Sequence, residues 1–125
     1  MEIDRLDHLV LTVRDIDRTV KFYQAVLGMQ EVRFGQGRVS LSYGKQKINL
    51  HKQGKEFEPK AHNPMPGSAD LCFITNTPIE QAMEHVKAQG VEIIEGPVGR
   101  TGALGPITSF YFRDPDNNLI EVSEY

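Results

Sequence analysis

Short apolar runs separated by turn-forming residues set the pattern of this chain, and the spacing inside each run selects its element. Residues 5–13 are rich in Leu and Val, too short for a helix and suited to a buried strand. Ile16, Val20, Tyr23, Ala25 and Leu27 then lay down an apolar stripe of approximately helical spacing. Asp15 or Asp17 caps this helix and Gly28 stops it. Three extended pieces follow at 29–34, 38–43 and 47–51, separated by the Gly35-Gln36-Gly37 and Gly44-Lys45-Gln46 turn signals. The first half thus reads strand, helix, strand, strand, strand.

Residues 53–68 lack periodicity, and Pro59, Pro64 and Pro66 argue against regular structure, so the stretch reads as a connector between 1–52 and 69–125. Beyond it the order repeats: strand 69–75, helix 79–89, and strands 91–95, 108–112 and 119–123. Thr77 before Pro78, with Glu80 three positions after Thr77, predicts a capping box. From Gly96 to Pro106, four glycines and two prolines predict a long shaped loop, the kind of segment that carries function. The two halves are related by an offset of 62 residues, which sets Asp70 on His8, Gly90 on Gly28, and ADLCFIT on DHLVLTV. The expected fold is α+β: two βαβββ modules in tandem, each a curved sheet with a helix on its outer face, together forming a half-barrel cleft.

Glu121 interrupts the apolar run Leu119-Ile120-Glu121-Val122, where a carboxylate needs a reason to be. Side chains alternate across a strand, which groups His8 with Val10 and Thr12, Asn49 with His51, Asp70 with Cys72, and Glu121 with Leu119 and Ser123. A divalent ion is the best explanation for imidazoles and carboxylates converging between apolar sheets, since unpaired buried charge costs several kcal/mol. His8, Asp70, Glu121 and His51 are the candidate metal ligands. Three of these, and Asn49 as a candidate substrate contact, have a plainer alternative: a satisfied histidine for His8, a cap for Asp70, solvent-facing edge positions for Asn49 and His51. Arg100 and Thr101 on the glycine-rich stretch either clamp a carboxylate or phosphate or sit on the surface. Cys72 is expected to pack as a small apolar group beside Phe73, and His62 and His85 to lie on the surface.

Composition narrows the function. The 125 residues, 39% hydrophobic, suffice for one compact domain. Fourteen basic against 17 acidic side chains, without basic runs, exclude nucleic acid and anionic membranes as expected partners. No apolar run approaches the roughly 20 residues of a membrane span. One cysteine rules out an internal disulfide and, with no basic-then-apolar start, points to the cytoplasm.

Three stretches, DHLVLTV at 7–13, FYQAVLGM at 22–29 and FYFRDPDNNLIE at 110–121, together resemble the vicinal oxygen chelate superfamily. That superfamily includes glyoxalase I, fosfomycin-resistance thiol transferases, methylmalonyl-CoA epimerase and extradiol dioxygenases. KINLHK at 47–52, EFEPKA at 56–61 and the stretch from Gly96 to Ser109 look more narrowly like the glyoxalase domain-containing protein 5 group. The resemblance covers the whole chain and implies one glyoxalase-like domain. It carries the first-strand histidine onto His8 and the last-strand glutamate, the usual catalytic base, onto Glu121. Where the family usually has a fifth-strand histidine this sequence has Asp70, and the fourth-strand carboxylate falls nearest Asn49, with His51 two residues on. Asp70 in that place favours oxygen-loving ions such as Mn, Fe or Mg, with Ni and Zn the other candidates. Ser109 to Phe112 matches Ser-Phe-Tyr-Phe of the fosfomycin enzymes, so Ser109 and Tyr111 either bond substrate or belong to an aromatic packing strand. The implied protein is a homodimeric, metal-dependent enzyme on a small oxygen-bearing substrate, of lyase or isomerase type. Ring-cleaving dioxygenation, thiol transfer, and non-catalytic sequestration of a drug, as in bleomycin resistance, are the alternatives.

Overall fold

The computed structural model describes all of residues 1–125. The chain divides into two compact units, Met1–Pro66 and Gly67–Tyr125. In the first, β1 (His8–Val13), α1 (Ile16–Leu27), β2 (Gln30–Phe34), β3 (Arg38–Tyr43) and β4 (Gln46–Lys52) build a sheet of order β1-β4-β3-β2. In the second, β5 (Asp70–Ile74), α2 (Ile79–Ala88), β6 (Glu95–Gly102), β7 (Gly105–Arg113) and β8 (Leu119–Glu124) build one of order β5-β8-β7-β6. In each the first strand pairs parallel with the last, and the other pairings are antiparallel. The α+β fold of two βαβββ modules stands as the sequence predicted.

Alternation divides each sheet into an apolar and a polar face. In module 1, Leu11, Val13, Val39, Leu41, Ile48 and Leu50 are buried on the apolar face, which α1 covers across β2, β3 and β4. Asp15 caps α1 by accepting from the Arg18 amide at 2.9 Å, and Gly28 ends it at φ 67°. The buried helix positions are Thr19, Val20, Tyr23 and Val26. Ala25, assigned to the stripe from sequence, is exposed: at 100° per residue it sits about 200° from Tyr23, whereas Val26 comes back to the core side. In module 2, Phe110, Phe112, Ile120 and Val122 are buried on the apolar face, and α2, with Ile79, Met83 and Val86 buried, packs on β7. Each fully buried phenylalanine contributes roughly 1.5–3 kcal/mol.

Two sequence expectations are corrected here. The capping box at Thr77 does not form: α2 begins at Ile79 behind Pro78 with no side-chain cap, and the Thr77 amide donates instead to Thr75 Oγ1 at 3.0 Å. The predicted strand at 91–95 and loop at 96–106 are replaced by a β6–β7 hairpin. A register shift between Glu95 and Val98 absorbs the Gly96-Pro97 step, after which Val98 and Arg100 pair with Ser109 and Ile107. Gly96, at φ 122°, is required there: a Cβ would lie 2.6 Å from Phe110 Cβ and 2.7 Å from the Ser109 carbonyl.

Candidate functional site

The polar face of module 2 opens into a cavity of about 450 Å³ lined by Asp70, Glu95, Arg100, Tyr111 and Glu121, with Ile94, Leu119 and Arg113 around them. Pairing register puts these residues side by side. Tyr111 lies opposite Glu121 across β7–β8, Cys72 opposite Glu121 across β5–β8, and Asp70 opposite Leu119. Entry of the chain into β8 is fixed by Asp114, whose carboxylate accepts from the amides of Asp116 and Asn118 at 2.9 Å and from Asn118 Nδ2 at 2.8 Å. Asn118 Oδ1 in turn accepts from the Ala69 amide at 2.9 Å. One buried turn thereby sets the starts of both strands that carry the carboxylates Asp70 and Glu121.

Beneath Glu121 lies a row of hydroxyls. Ser123 Oγ donates to Glu121 Oε2 at 3.2 Å and is itself 2.6 Å from Ser109 Oγ and 3.3 Å from Cys72 Sγ. With its own proton committed to Glu121, Ser123 accepts from both. Burial first, and then the neighbouring Glu121 and Asp70 carboxylates, push the Cys72 thiol pKa up, which keeps the sulfur protonated as a donor. Cys72 does not pack beside Phe73 as expected. Neighbouring strand residues face opposite ways, and Cys72 belongs to the polar face with Glu121.

Arg100 forms the opposite wall. Its Nε donates to Tyr111 Oη at 2.9 Å, Nη2 to Glu95 Oε1 at 3.1 Å and Nη1 to the Gly99 carbonyl at 3.1 Å. These bonds hold the guanidinium charged, the Tyr111 bond foremost. Burial raises the Tyr111 pKa, so the phenol keeps its proton. Tyr111 Oη accepts from Arg100, and its own hydrogen faces the Glu121 carboxylate across β7–β8. Thr101 pairs with Pro106 at the hairpin end, outside this wall.

Module 1 presents a different polar face. Val10 and Ser40 flank Asn49 in register, Thr12 lies opposite His51, and His8 opposite Lys47. Asn49 is 5% exposed and His51 3% exposed, and neither Asn49 Oδ1 nor His51 Nε2 has a hydrogen-bond partner. An unmet buried polar group costs about 1–3 kcal/mol. Burial first, then the charge of Arg38, hold the His51 pKa down, and the imidazole is neutral. His8 remains partly exposed, with Nδ1 2.8 Å from Asp7 Oδ2. That contact holds the Asp7 pKa down. With Nδ1 facing the carboxylate, Nε2 is left as the free nitrogen.

A tandem βαβββ architecture with polar side chains gathered on the sheet faces turned from the helices defines a glyoxalase-like protein. The family model described as Glyoxalase/Bleomycin resistance protein/Dioxygenase superfamily matches residues 5–122, and the chain belongs to that superfamily. It is 61% identical over 125 residues to a virulence protein of Salmonella typhimurium, covering 100% of this chain and 87% of the relative. An integron cassette protein from the mobile metagenome of V. Cholerae superposes with a TM-score of 0.99 at 67% identity, over 100% of this chain and 98% of the other. A mutant of the fosfomycin resistance protein FosX from Listeria monocytogenes, solved with Mn(II) and 1S,2S-dihydroxypropylphosphonic acid, superposes with a TM-score of 0.66 at 25% identity. That match spans 97% of this chain and 90% of the other. Members of the superfamily bind small molecules and usually form dimers.

Superfamily members such as FosX bind a divalent ion. In kind, the donors of module 2 fit one: Asp70 and Glu121 are hard oxygen ligands on one cavity. In number they fall short, for no three His, Cys, Asp or Glu side chains converge in the single chain as metal ligands. His8 and His51 belong to module 1. Sequence reasoning missed Glu95 and Arg113 as cavity residues, and the signal for Glu95 lay in the bulge that turns its strand. No helix is long and apolar enough to cross a membrane.

Proposed function

We propose that the chain is a metal-dependent enzyme of the vicinal oxygen chelate kind, acting as a lyase or isomerase on a small substrate with two neighbouring oxygens. The observation that carries this reading is the shared cavity of Asp70, Glu121, Arg100 and Tyr111. Asp70 and Glu121 would hold the ion, with His8 Nε2 of a second copy of the chain as the third ligand. When bound, Mn, Fe, Ni, Mg or Zn acts as a Lewis acid on the substrate oxygens. Glu121 takes and returns the substrate proton. Tyr111 donates a hydrogen bond to the oxygen that gains charge, and Arg100 keeps that phenol in place. The chain works as a homodimer in this reading, which the exposed Val10 and Ile74 on the edge strands β1 and β5 support.

Metal-stripped protein titrated with Mn(II) tests the reading by paramagnetic resonance. One ion per chain is expected, with affinity at least about tenfold weaker, or 1.4 kcal/mol, in both Glu121→Gln and His8→Ala. Sedimentation should give a dimer. Protein that takes up none of the five ions, while binding apolar drugs, would instead be a sequestering module.

A further inference from the structure

The polar face of module 1 holds more positive charge and more unmet hydrogen-bonding capacity than its fold needs. Lys47 Nζ lies 4.0 Å from the Phe34 ring centroid, and Arg38 Cζ lies 5.2 Å from the same ring and 4.6 Å from that of Phe57. The two cations therefore share one phenyl ring, and the acidic groups that act on the patch are the exposed Asp7, on Lys47, and Glu56, on His51. Phe57 reaches further: its ring meets His51 edge-on at 5.5 Å. Two rings thus tie Lys47, Arg38 and His51 into one patch. Asn49 stands between Lys47 and His51 on the same side of β4, with Oδ1 buried and without a partner, as is His51 Nε2.

We propose that this patch seats a small organic acid that also carries a hydroxyl, the carboxylate taken by Arg38 and Lys47 and the hydroxyl by Asn49 and His51. Like charges on one ring repel, and a bound anion relieves the repulsion. Ring contacts use the guanidinium face and leave its in-plane N–H fork, which matches a planar carboxylate. A hydroxyl answers both orphaned atoms at once, donating to Asn49 Oδ1 and accepting from His51 Nε2–H. Asn49 is the pairing counterpart of Glu121: Val10 and Ser40 flank it as Cys72 and Tyr111 flank the glutamate. In this assignment His51 is a hydrogen-bonding residue and not a metal ligand. The inference rests on the proposed small oxygenated substrate and adds its charge and its hydroxyl.

Calorimetry on chelator-treated, metal-free protein tests the seat apart from the metal chemistry. The probes are malate, succinate as its counterpart without hydroxyl, 2-hydroxyethylphosphonate, and propane-1,2-diol as the uncharged hydroxyl. Malate is expected to bind most tightly and succinate about fivefold more weakly, with propanediol not binding. Arg38→Gln should weaken malate at least about tenfold. Asn49→Leu, an apolar residue of similar size, should erase the preference for malate over succinate while the protein stays folded by circular dichroism. Glu121→Gln should bind malate as the wild type does, even where it has lost Mn(II). Tighter binding of the phosphonate than of malate would overturn the carboxylate assignment. Absence of malate binding, or equal binding by wild type, Arg38→Gln and Asn49→Leu, would overturn the seat altogether.

Discussion

The two modules share one chain path yet have divided their chemistry. Where module 2 has Asp70 and Glu121, module 1 has His8 and Asn49 at matching register positions. The face of module 2 is acidic and its hydroxyls are consumed in bonds among Ser109, Ser123 and Glu121. That of module 1 is cationic, with a buried amide and a buried neutral imidazole left unmet. Their turns differ as well. The β3–β4 strands join through the tight Gly44 turn at φ 49°, while the β7–β8 strands join through the longer turn built on Asp114. The two scaffolds match in strand order, and the difference between them lies on the faces turned from the helices.

The largest test of this division is at the turns. Asp114→Ala should cost about 3 kcal/mol by urea unfolding, because a buried carboxylate with three hydrogen bonds is removed and leaves Asn118 and two amides unmet. Lys45→Ala in the corresponding turn of module 1 should change stability by less than about 0.5 kcal/mol, as expected of an exposed turn residue. Equal losses would show that the two connections do the same job. A middle-sized effect distinguishes the faces themselves: Asn49→Leu should stabilise the protein by about 1 kcal/mol, since an orphaned amide gives way to an apolar group. A loss of stability there would mean that Asn49 is satisfied in solution.

The smallest effect is in pH. His51 is held below its ordinary pKa in the fold, so the unfolded chain binds the proton more readily than the native one. Its contribution is fully present above the unfolded value near 6.5 and is lost as pH falls from there through the folded value. Unfolding midpoints measured from pH 7.5 down to 5 should therefore fall more steeply in the wild type than in His51→Leu. A steeper fall in the variant would reverse the assignment.

Much of this was legible because one-dimensional spacing carries it. Gly28 and Gly90 sit at positive φ after each helix, and the offset of 62 residues that aligns them also aligns His8 with Asp70. Glu121 was conspicuous as a charge inside an apolar strand. What stayed hidden depends on pairing partners. Gly96 to Pro106 is rich in loop formers by composition, yet Val98 and Arg100 find partners in β7 once a bulge takes up the Gly-Pro step. Ser109 reads as a substrate contact by likeness to fosfomycin enzymes, but it is buried beneath Glu121 and bonds to Ser123. No spacing rule reveals Arg38 and Lys47 converging on Phe34, since Phe34 and Arg38 lie either side of a turn and Lys47 one strand beyond.

The hydroxyl row under Glu121 has one more implication. Ser123 donates to Oε2 of Glu121, so the two oxygens of the carboxylate are not equivalent. Under the proposed function such an acceptor would be handed, approaching a carbon from one side and returning a hydrogen to that same side. If the proposed reaction holds, Ser123→Ala should lower its stereochemical fidelity before it abolishes turnover.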